Sequence, residues 1–422
     1  MRQRRPPVAD HDGTTEAATP AGALEALREV NRLRVVDALR WRGTASRSEL
    51  ARLTGLSRTT VATLVADLKA RGLVVDRSEP DGRPAPAGRG RPPILLRLDP
   101  SAGAAIGIDF GHRHLRVAAA DLSSTLIAER AVELDVDRAA STALDAAAEL
   151  IDEVVDEAGL DRCRLIGVGL GLPGPIDSRT GTLSSAILPG WRGVRVAEAM
   201  ADRLDLHVEV DNDANLGALG ELAFGAAHDL GDVVYVKMSS GIGAGLVLGG
   251  RLHRGATGIA GELGHVQVRT DGAVCRCGNR GCLETVAASG ALLALLRPTH
   301  GPELTVRGML DLVADGDLGA RRVVNDAGRA VGRVLADLCN HVNPAAIVVG
   351  GELSAAGDQL LDGIREAVDR YAQPGAAAAV EVRPGVLAER AEVLGALALV
   401  IADTNRLSSA GLAVLQAARR SL

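Results

Sequence analysis

The chain has 422 residues, of which 47% are hydrophobic and only 1% aromatic, so its core must be built from Ala, Val, Leu and Ile. This length predicts two or three domains, and the shortage of aromatic residues argues against single-stranded nucleic acid binding by base stacking. Residues 1–98 contain 18 Lys or Arg against 11 Asp or Glu, a charge of +7 that leaves −13 on the remainder of a chain whose net charge is −6. A basic front on an acidic body indicates contact with a polyanion, although charge alone fits a solvated positive face equally well.

The sequence contains neither a run of about 18 apolar residues nor the apolar segment of a signal peptide. We therefore expect a cytoplasmic protein with no membrane partner. Three of the five cysteines fall within residues 275–282. This spacing fits a metal site in a reducing compartment better than a set of disulfides.

The first residues of the chain differ in pattern from those that follow. Residues 1–23 are polar, contain Pro and have no periodicity, which predicts a disordered tail. From Leu24 to Trp41 apolar residues recur at helical spacing, and Gly43 ends this helix. A folded domain is therefore predicted over residues 24–98.

A helix–turn–helix pattern follows the first helix. Ser46 and Glu49 form a capping box for a short helix, Gly55 makes a tight turn, and Ser57 caps a third helix that runs to about Arg71. In such a motif the N-terminal residues of the second helix, which is the third helix of this domain, contact base edges in the major groove of DNA. The pattern predicts binding to a double-stranded DNA operator, with a protein-docking winged helix as the alternative. The candidate DNA contacts are Ser57, Arg58, Thr59, Thr60 and Thr63.

A predicted hairpin completes this domain as a winged helix. Residues 73–75 form one strand and residues 94–98 its return, and the sequence GRPAPAGRGRPP lies between them. Arg83, Arg89 and Arg91, held extended by Pro and Gly, suit a narrow minor groove, where the negative potential attracts arginine. The alternative is a flexible linker whose arginines contact nothing specific.

The body of the chain, residues 101–422, repeats one order of elements. AAIGIDF leads through a turn into further strands, a helix and the strand RLIGVGLGL, and the order returns with DVVYVKMS, a Gly-rich turn and AGLVLGG. Two such halves, over about 101–210 and 211–422, would face each other across a cleft. Actin-like sugar kinases hold nucleotide and substrate between two halves of this kind.

Three segments carry a resemblance to a known family: DNDANLGALGE at 211–221, GIAGELGH at 258–265 and CRCGNRGCLE at 275–284. From about residue 24 onward the chain resembles the ROK family (repressor, open reading frame, kinase), and its front resembles the branch of xylose-type and NagC-like sugar repressors. The resemblance implies an α/β protein. A winged helix-turn-helix would be followed by a two-lobed actin-like ATPase domain of the sugar-kinase and ribonuclease H-like type.

The cysteine-rich segment also has a physical interpretation of its own. One imidazole and three thiolates suit tetrahedral Zn²⁺ with no open coordination position, which predicts a structural site rather than a catalytic one. Ordinary buried thiols are the alternative. Cys163 and Cys339, in apolar surroundings, are expected in the core. The predicted zinc ligands are His265, Cys275, Cys277 and Cys282.

The resemblance also implies a sugar pocket. In ROK kinases the aspartate at the position of Asp213 is the general base that takes a proton from the sugar hydroxyl, and four neighbouring residues hold the sugar. Carboxylates and amides that converge on polyol hydroxyls suit this role, although the same residues also fit ordinary turns. Ile187 departs from the family's usual Asn, which points to a different sugar or a derivative. The implied sugar-binding residues are Asn212, Asp213, Glu262, His265 and Glu284.

The nucleotide half of the pattern is incomplete. Family kinases have D-x-G-G-T at the first hairpin, whereas this chain has Asp109, Phe110, Gly111, His112 and Arg113. A side chain at His112 takes space that backbone amides need beside a phosphate. The second turn, SSGIGAG at 239–245, is nearly intact, but Glu352 stands where the kinases have a third glycine near the adenosine.

These features favour a repressor that has lost ATP binding, is not an enzyme, and responds to a sugar or sugar phosphate. It would bind its operator as a homodimer or homotetramer. An active ATP-dependent sugar kinase with an added DNA-binding domain is the alternative. A third hypothesis is an architectural DNA-binding protein whose body only oligomerises, although all five sugar-pocket residues would then lack a purpose.

Overall fold

This computed structural model describes residues 20–77, 94–183 and 188–402, apart from the side chains of residues 20–26, 29 and 41. The chain divides into two compact units, one ending at Leu98 and the other beginning at Asp99. Arg83, Arg89, Arg91 and Ile187 lie outside the described residues.

The first unit is a helix–turn–helix with a small sheet. Ser46 and Glu49 form the predicted capping box, and Gly55 adopts the left-handed conformation that ends the short helix. The three strands pair antiparallel in the order β1-β3-β2, which confirms the winged hairpin. Its described elements are α1 (Pro20–Arg42), β1 (Ala45–Ser46), α2 (Arg47–Thr54), α3 (Arg58–Ala70), β2 (Val74–Asp76) and β3 (Leu95–Leu98).

The second unit contains two five-stranded sheets of one design. The first half comprises β4 (Ala104–Phe110), β5 (His114–Asp121), β6 (Leu126–Glu133), α4 (Ala140–Glu157), β7 (Leu165–Leu172), β8 (Ile176–Asp177), β9 (Thr182–Leu183), α5 (Val196–Leu204) and β10 (Val208–Asn212). The second half comprises α6 (Asp213–Phe224), β11 (Val233–Met238), β12 (Ile242–Leu248), β13 (Arg251–Leu252), α7 (Glu284–Ala287), α8 (Ser289–His300), α9 (Val306–Ala314), α10 (Leu318–Val342), β14 (Ala346–Gly350), α11 (Asp358–Tyr371), α12 (Pro374–Ala379), β15 (Glu381–Pro384) and α13 (Ala391–Ala402).

The topology of the two sheets is the same. Among the described residues the first sheet has the order β10-β7-β4-β5-β6 and the second the order β13-β12-β11-β14-β15. In each, an antiparallel meander of three strands is extended by two parallel strands. This duplication confirms the actin-like architecture that the repeated pattern predicts.

Helices α6 and α13 join the two halves. They pack against each other, α13 also covers β4 and β7 of the first sheet, and α6 covers β11 and β12 of the second. Glycines permit this close approach: a methyl group on Gly395 would overlap the carbonyl of Leu216, and one on Gly169 would overlap the carbonyl of Ala396. The end of the described chain thus belongs with the first sheet, although the sequence places it in the second half.

The cores are aliphatic, as the composition requires. Trp191, Tyr235 and Phe110 are the largest fully buried side chains, and Phe110 meets Trp191 edge to face at 5.3 Å between ring centroids.

Among the helices that the structure describes, none has the length and apolar character needed to cross a membrane.

Candidate functional sites

Helix α3 presents a polar face to solvent. The Ser57 hydroxyl accepts a hydrogen bond from the Thr60 amide at 3.1 Å and lies 2.8 Å from the Thr60 hydroxyl, so these two residues form the helix cap. The Thr63 hydroxyl donates to the carbonyl of Thr59. Because Arg58, Thr59 and Thr63 are exposed while Thr60 is half-buried, the first three form the surface that can meet a base edge.

The opposite face of α3 fixes the helix in its unit. Val61, Leu64, Val65 and Leu68 are buried there. Asp67 pairs with Arg32 of α1 at 3.0 Å and with Arg71 at 3.1 Å. The exposed face is therefore held by both packing and ion pairs.

The four predicted metal ligands converge. The ligand atoms of His265, Cys275, Cys277 and Cys282 all lie within 4.8 Å of one another. Cys277 Sγ lies 3.7 Å from Cys282 Sγ, and Cys275 Sγ lies 3.5 Å from His265 Nδ1. A tetrahedral ion with metal–sulfur distances of about 2.3 Å would separate two thiolates by roughly 3.8 Å. The cluster has the size and donor set of a metal site.

Asn212 and Asp213 lie where β10 passes into α6. Asn212 caps α6, since its Oδ1 accepts the amides of Ala214 and Asn215, and its Nδ2 donates to the carbonyl of Gly174 at 3.0 Å. The buried Asp211 accepts hydrogen bonds from Asn215 Nδ2 and from Arg254. Asp213 is the first residue of α6, and hydrogen bonds fix the residues immediately before and after it.

Glu262 and Glu284 bring the metal cluster beside Asp213. Glu262 Oε2 lies 3.6 Å from His265 Nε2, the nitrogen that faces away from the cysteines. Burial, together with the charges of Asp213 and Glu284, raises the pKa of Glu262 to about 7. Glu284 forms two bonds of 2.8 Å to the guanidinium of Arg276. Because the charges of Asp213 and Glu284 both act on the carboxyl of Glu262, these three carboxylates belong to one site that can accept hydrogen bonds from polyol hydroxyls.

A buried ion-pair network beneath this neighbourhood was missed from the sequence. Lys237 Nζ lies 2.9 Å from Asp213 Oδ2 and 2.9 Å from Glu392 Oε1. Burial alone would lower the pKa of Lys237, but the charges of Asp213, Glu392 and Asp109 hold it well above its usual range. Two local signals were available: a single lysine interrupts the apolar strand β11, and Glu392 is the second residue of the very apolar helix α13.

The first hairpin is closed by side chains. His112 Nδ1 lies 2.8 Å from Asp137 Oδ1, and His114 Nε2 lies 2.8 Å from Asp109 Oδ2. The His114 ring stands directly over Gly111, so a methyl group there would overlap it. The hydrogen bond to Asp109 raises the pKa of His114. The sequence places bulky His112, Arg113 and His114 in this turn and identifies His112 as the obstruction, but in the structure His114 crowds Gly111 more closely.

The other two nucleotide elements differ from each other. In β12, methyl groups on Gly243 and Gly245 would press on Ala214 and Ala218 of α6, so these glycines serve helix packing. Glu352 lies at the start of the turn after β14, where the residue is exposed overall but its carboxyl is partly shielded from solvent. This partial desolvation and the charge of Glu389 raise its pKa.

The expectation for one cysteine was wrong. Cys163 is exposed because it lies in the short helical turn Arg162–Arg164 before β7 and not in the strand itself. Cys339 is buried in α10, as expected, and burial raises the pKa of its thiol to about 11.

Known proteins resemble this chain over both units. The model of the ROK family matches residues 105–403, and the model of the MarR family matches residues 29–84. A putative xylose repressor from Caldicellulosiruptor sp. (strain Rt8B.4) is 31% identical over 391 residues, which cover 89% of this chain and 96% of the relative.

Solved structures give the same result. A ROK family transcriptional regulator, described as a homolog of the E. coli MLC protein, is 25% identical, with a TM-score of 0.75 over 92% of this chain and 98% of its own. A ROK family glucokinase from Streptomyces griseus, solved with glucose and AMPPNP, is 29% identical, with a TM-score of 0.60 over 70% of this chain and 99% of its own.

Proposed function

Because the chain belongs to the ROK family, we propose that it is a sugar-responsive transcriptional regulator, a repressor of genes for carbohydrate uptake or catabolism. One observation carries the proposal: the chain combines a winged helix that has an exposed polar recognition helix with a kinase-like body, in which the carboxylates of the sugar pocket converge while the phosphate hairpin is closed. The repressors among its relatives support the same function.

The DNA contact would be made by α3. Two copies of the chain, in a homodimer or homotetramer, would place two recognition helices in successive major grooves of a two-fold symmetric operator. Arg58, Thr59 and Thr63 would contact base edges, while Ser57 and Thr60 hold the helix end. The wing arginines Arg89 and Arg91 would enter the adjacent minor groove.

Replacement of Arg58 by Ala should weaken operator binding by about 5- to 150-fold, because a well-placed arginine contact to a base contributes about 1–3 kcal/mol. Fluorescence anisotropy on a labelled operator, selected from the DNA upstream of the gene itself, measures the loss. Arg130→Ala, an exposed arginine of the other unit, is the matched control. Equal loss in both variants would show that only general charge is involved.

The sugar would bind where the carboxylates converge. Asp213, Glu262 and Glu284 would accept hydrogen bonds from its hydroxyls, with Asn212 beside them. Zn²⁺ held by His265, Cys275, Cys277 and Cys282 would supply structural rigidity, and because Nδ1 faces the thiols it would leave His265 Nε2 directed towards Glu262 and the ligand.

The sugar can change operator affinity only by binding two states of the protein unequally. Helices α6 and α13 join the two sheets of the body, and the sugar-side residue Asp213 begins α6. Closure of the body around a sugar would therefore change the positions of both helices. We propose that α6 and α13 transmit the effect of sugar binding out of the pocket.

We further propose that the protein does not transfer phosphate. Phosphoryl transfer needs a cradle of backbone amides and a bound metal at the nucleotide phosphates, and here His112 and His114 close the hairpin while Lys237 lies against the position of the family's general base. The similarity to a glucokinase keeps the opposite result worth measuring. ADP release with sugar and Mg-ATP would restore the kinase hypothesis.

Asp213→Asn should abolish the sugar response while leaving operator binding without sugar unchanged. Hydrogen bonds to a charged group contribute about 1.5–3 kcal/mol, so sugar affinity should fall by about 10- to 150-fold. Titration of a broad sugar panel into the protein–operator complex measures the response, and Asp202→Asn, on the exposed face of α5, is the matched control. Operator affinity that no sugar alters in the wild type would refute the proposed function.

A further inference from the structure

Four cationic side chains lie beside the carboxylates of the proposed sugar pocket and the first hairpin, and each already contacts a protein carboxylate. Lys237 contacts Asp213 and Glu392, and the guanidinium of Arg276 contacts both oxygens of Glu284. Arg254 lies 2.7 Å from Asp211, and His114 lies 2.8 Å from Asp109. A cation already paired with a protein carboxylate offers a ligand phosphate little net positive charge.

Carboxylates outnumber cations in the same place. Asp109, Asp213, Glu284 and Glu392 face two permanent cations, Lys237 and Arg276, and a third when His114 is protonated. This count leaves out Glu262, which could only add negative charge, and the pair of Arg254 and Asp211, which is neutral as a whole. The net charge of the site is therefore negative. A phosphate ester on the ligand would bring about two more negative charges into a partly buried site of low effective dielectric constant.

Arg113 does not supply the missing positive charge. It lies on the first hairpin and lines a cavity of about 310 Å³ together with Glu133, Leu134 and Asp135. Two of these three neighbours carry carboxylates, so the surroundings of Arg113 have no excess of positive charge.

Resting on the proposed function, we infer that the effector is an uncharged sugar and that Lys237 and Glu392 determine this specificity. Lys237 serves as the built-in counter-ion of Asp213 and Glu392. Asp213 stays available to sugar hydroxyls through its remaining lone pairs, while the positive charge of the ammonium is already balanced and does not offset the negative charge of a phosphate. Rejection of sugar phosphates follows from net charge and not from the size of the pocket.

The experiment compares each sugar with its own phosphate ester on the full-length protein. Isothermal titration with glucose and glucose 6-phosphate, and with xylose and xylose 5-phosphate, should show that the bound sugar loses at least about tenfold in affinity when it is phosphorylated. Raising the salt from 0.05 to about 0.5 M should narrow this ratio, because salt screens charge but does not enlarge a pocket. A ratio independent of salt would overturn the electrostatic assignment.

Two glutamate variants test the named residues. Glu392→Gln removes one of the two partners of Lys237 and should raise the affinity for the phosphate ester at least about tenfold relative to the free sugar. Glu389→Gln, an exposed partner of Arg116 one turn away, should keep the wild-type ratio. Thermal unfolding establishes that both variants are folded, and the wild-type comparison stands even if Glu392→Gln is not.

The failure of this inference and of the proposed function are distinguishable. A wild-type protein that binds glucose 6-phosphate or xylose 5-phosphate as tightly as the free sugar, and releases DNA in response, overturns the inference but leaves the function standing. If neither the free sugars nor their phosphate esters alter operator binding across the panel, both the inference and the proposed function are refuted.

Discussion

Substitution of Cys282 by Ser is expected to remove the bound metal and the sugar response together while leaving operator binding intact. Residues 253–283 contain no regular element except the short turn Leu263–His265. This segment nevertheless carries Glu262 and precedes Glu284, so its order determines the pocket. Structural zinc contributes about 10–16 kcal/mol to the folding of zinc-finger peptides, so its loss should disorder a segment that has turns and bridges in place of helices and strands.

The measurement is metal content by mass spectrometry, together with sugar titration and operator binding. We expect about one zinc per chain in the wild type and close to none in Cys282→Ser. The sugar affinity should fall at least tenfold, to the level of Asp213→Asn, because both changes remove acceptors from one pocket. The winged helix is a separate compact unit and should bind DNA as before.

Cysteines outside the cluster provide the controls. Cys163→Ser alters an exposed thiol and should change neither metal content nor sugar affinity. Cys339→Ser alters a buried thiol of α10 and should lower stability without loss of metal. A full complement of zinc in Cys282→Ser, or an unaltered sugar response after removal of the metal by a chelator, would contradict the assignment.

What the sequence could predict depended on how far apart the partners lie along the chain. The capping box of Ser46 and Glu49 and the cysteine cluster involve residues close together in sequence, so their spacing carries the geometry. The pair of Lys237 and Glu392 joins residues from distant parts of the chain, and only the packing of α13 beside α6 brings them together. The position of the His114 ring also needed the structure, because residue spacing does not show that the ring turns back over Gly111 to lie 2.8 Å from Asp109 Oδ2.

The same distinction applies to Cys163. Its apolar neighbours predicted burial, but Asp161 caps a helical turn immediately before β7 and leaves the thiol at the surface. Hydrophobicity averaged over a window of residues does not locate the first residue of a strand to within two positions. Charge paired over long distances and the exact ends of elements were the parts of the site that needed the structure.

Replacement of Lys237 by Met should be among the most destabilising single changes in the body. The side chains of Lys237, Asp213 and Glu392 are only 17%, 16% and 6% exposed, so the variant leaves two largely buried carboxylates without their shared cation. Breaking a buried ion pair by removing one partner costs about 3–5 kcal/mol, which should lower Tm by roughly 6–20 °C. Thermal unfolding at neutral pH measures this change.

The loss should be partly repaired by a second substitution. In Lys237→Met with Glu392→Gln, one of the two unpaired carboxylates is gone, so the double variant should be more stable than Lys237→Met alone even though it carries an additional change. Arg130→Met, which breaks the exposed contact with Glu157, is a control with an expected cost below about 1 kcal/mol. Additive losses in the double variant would show that Lys237 is not the counter-ion of Glu392.

The destabilisation of Lys237→Met should also depend on pH in a defined direction. Burial already raises the pKa of Glu392 above its unfolded value of 4.5, and Lys237 partly opposes that rise. Without Lys237 the folded pKa rises further, so the folded variant binds more protons than the unfolded chain and loses stability as the pH increases above about 4.5. The gap in Tm between wild type and variant should therefore narrow from pH 7 to pH 5. A constant gap would mean that Lys237 stabilises the helices by packing alone, and the charge balance of the pocket would then need another origin.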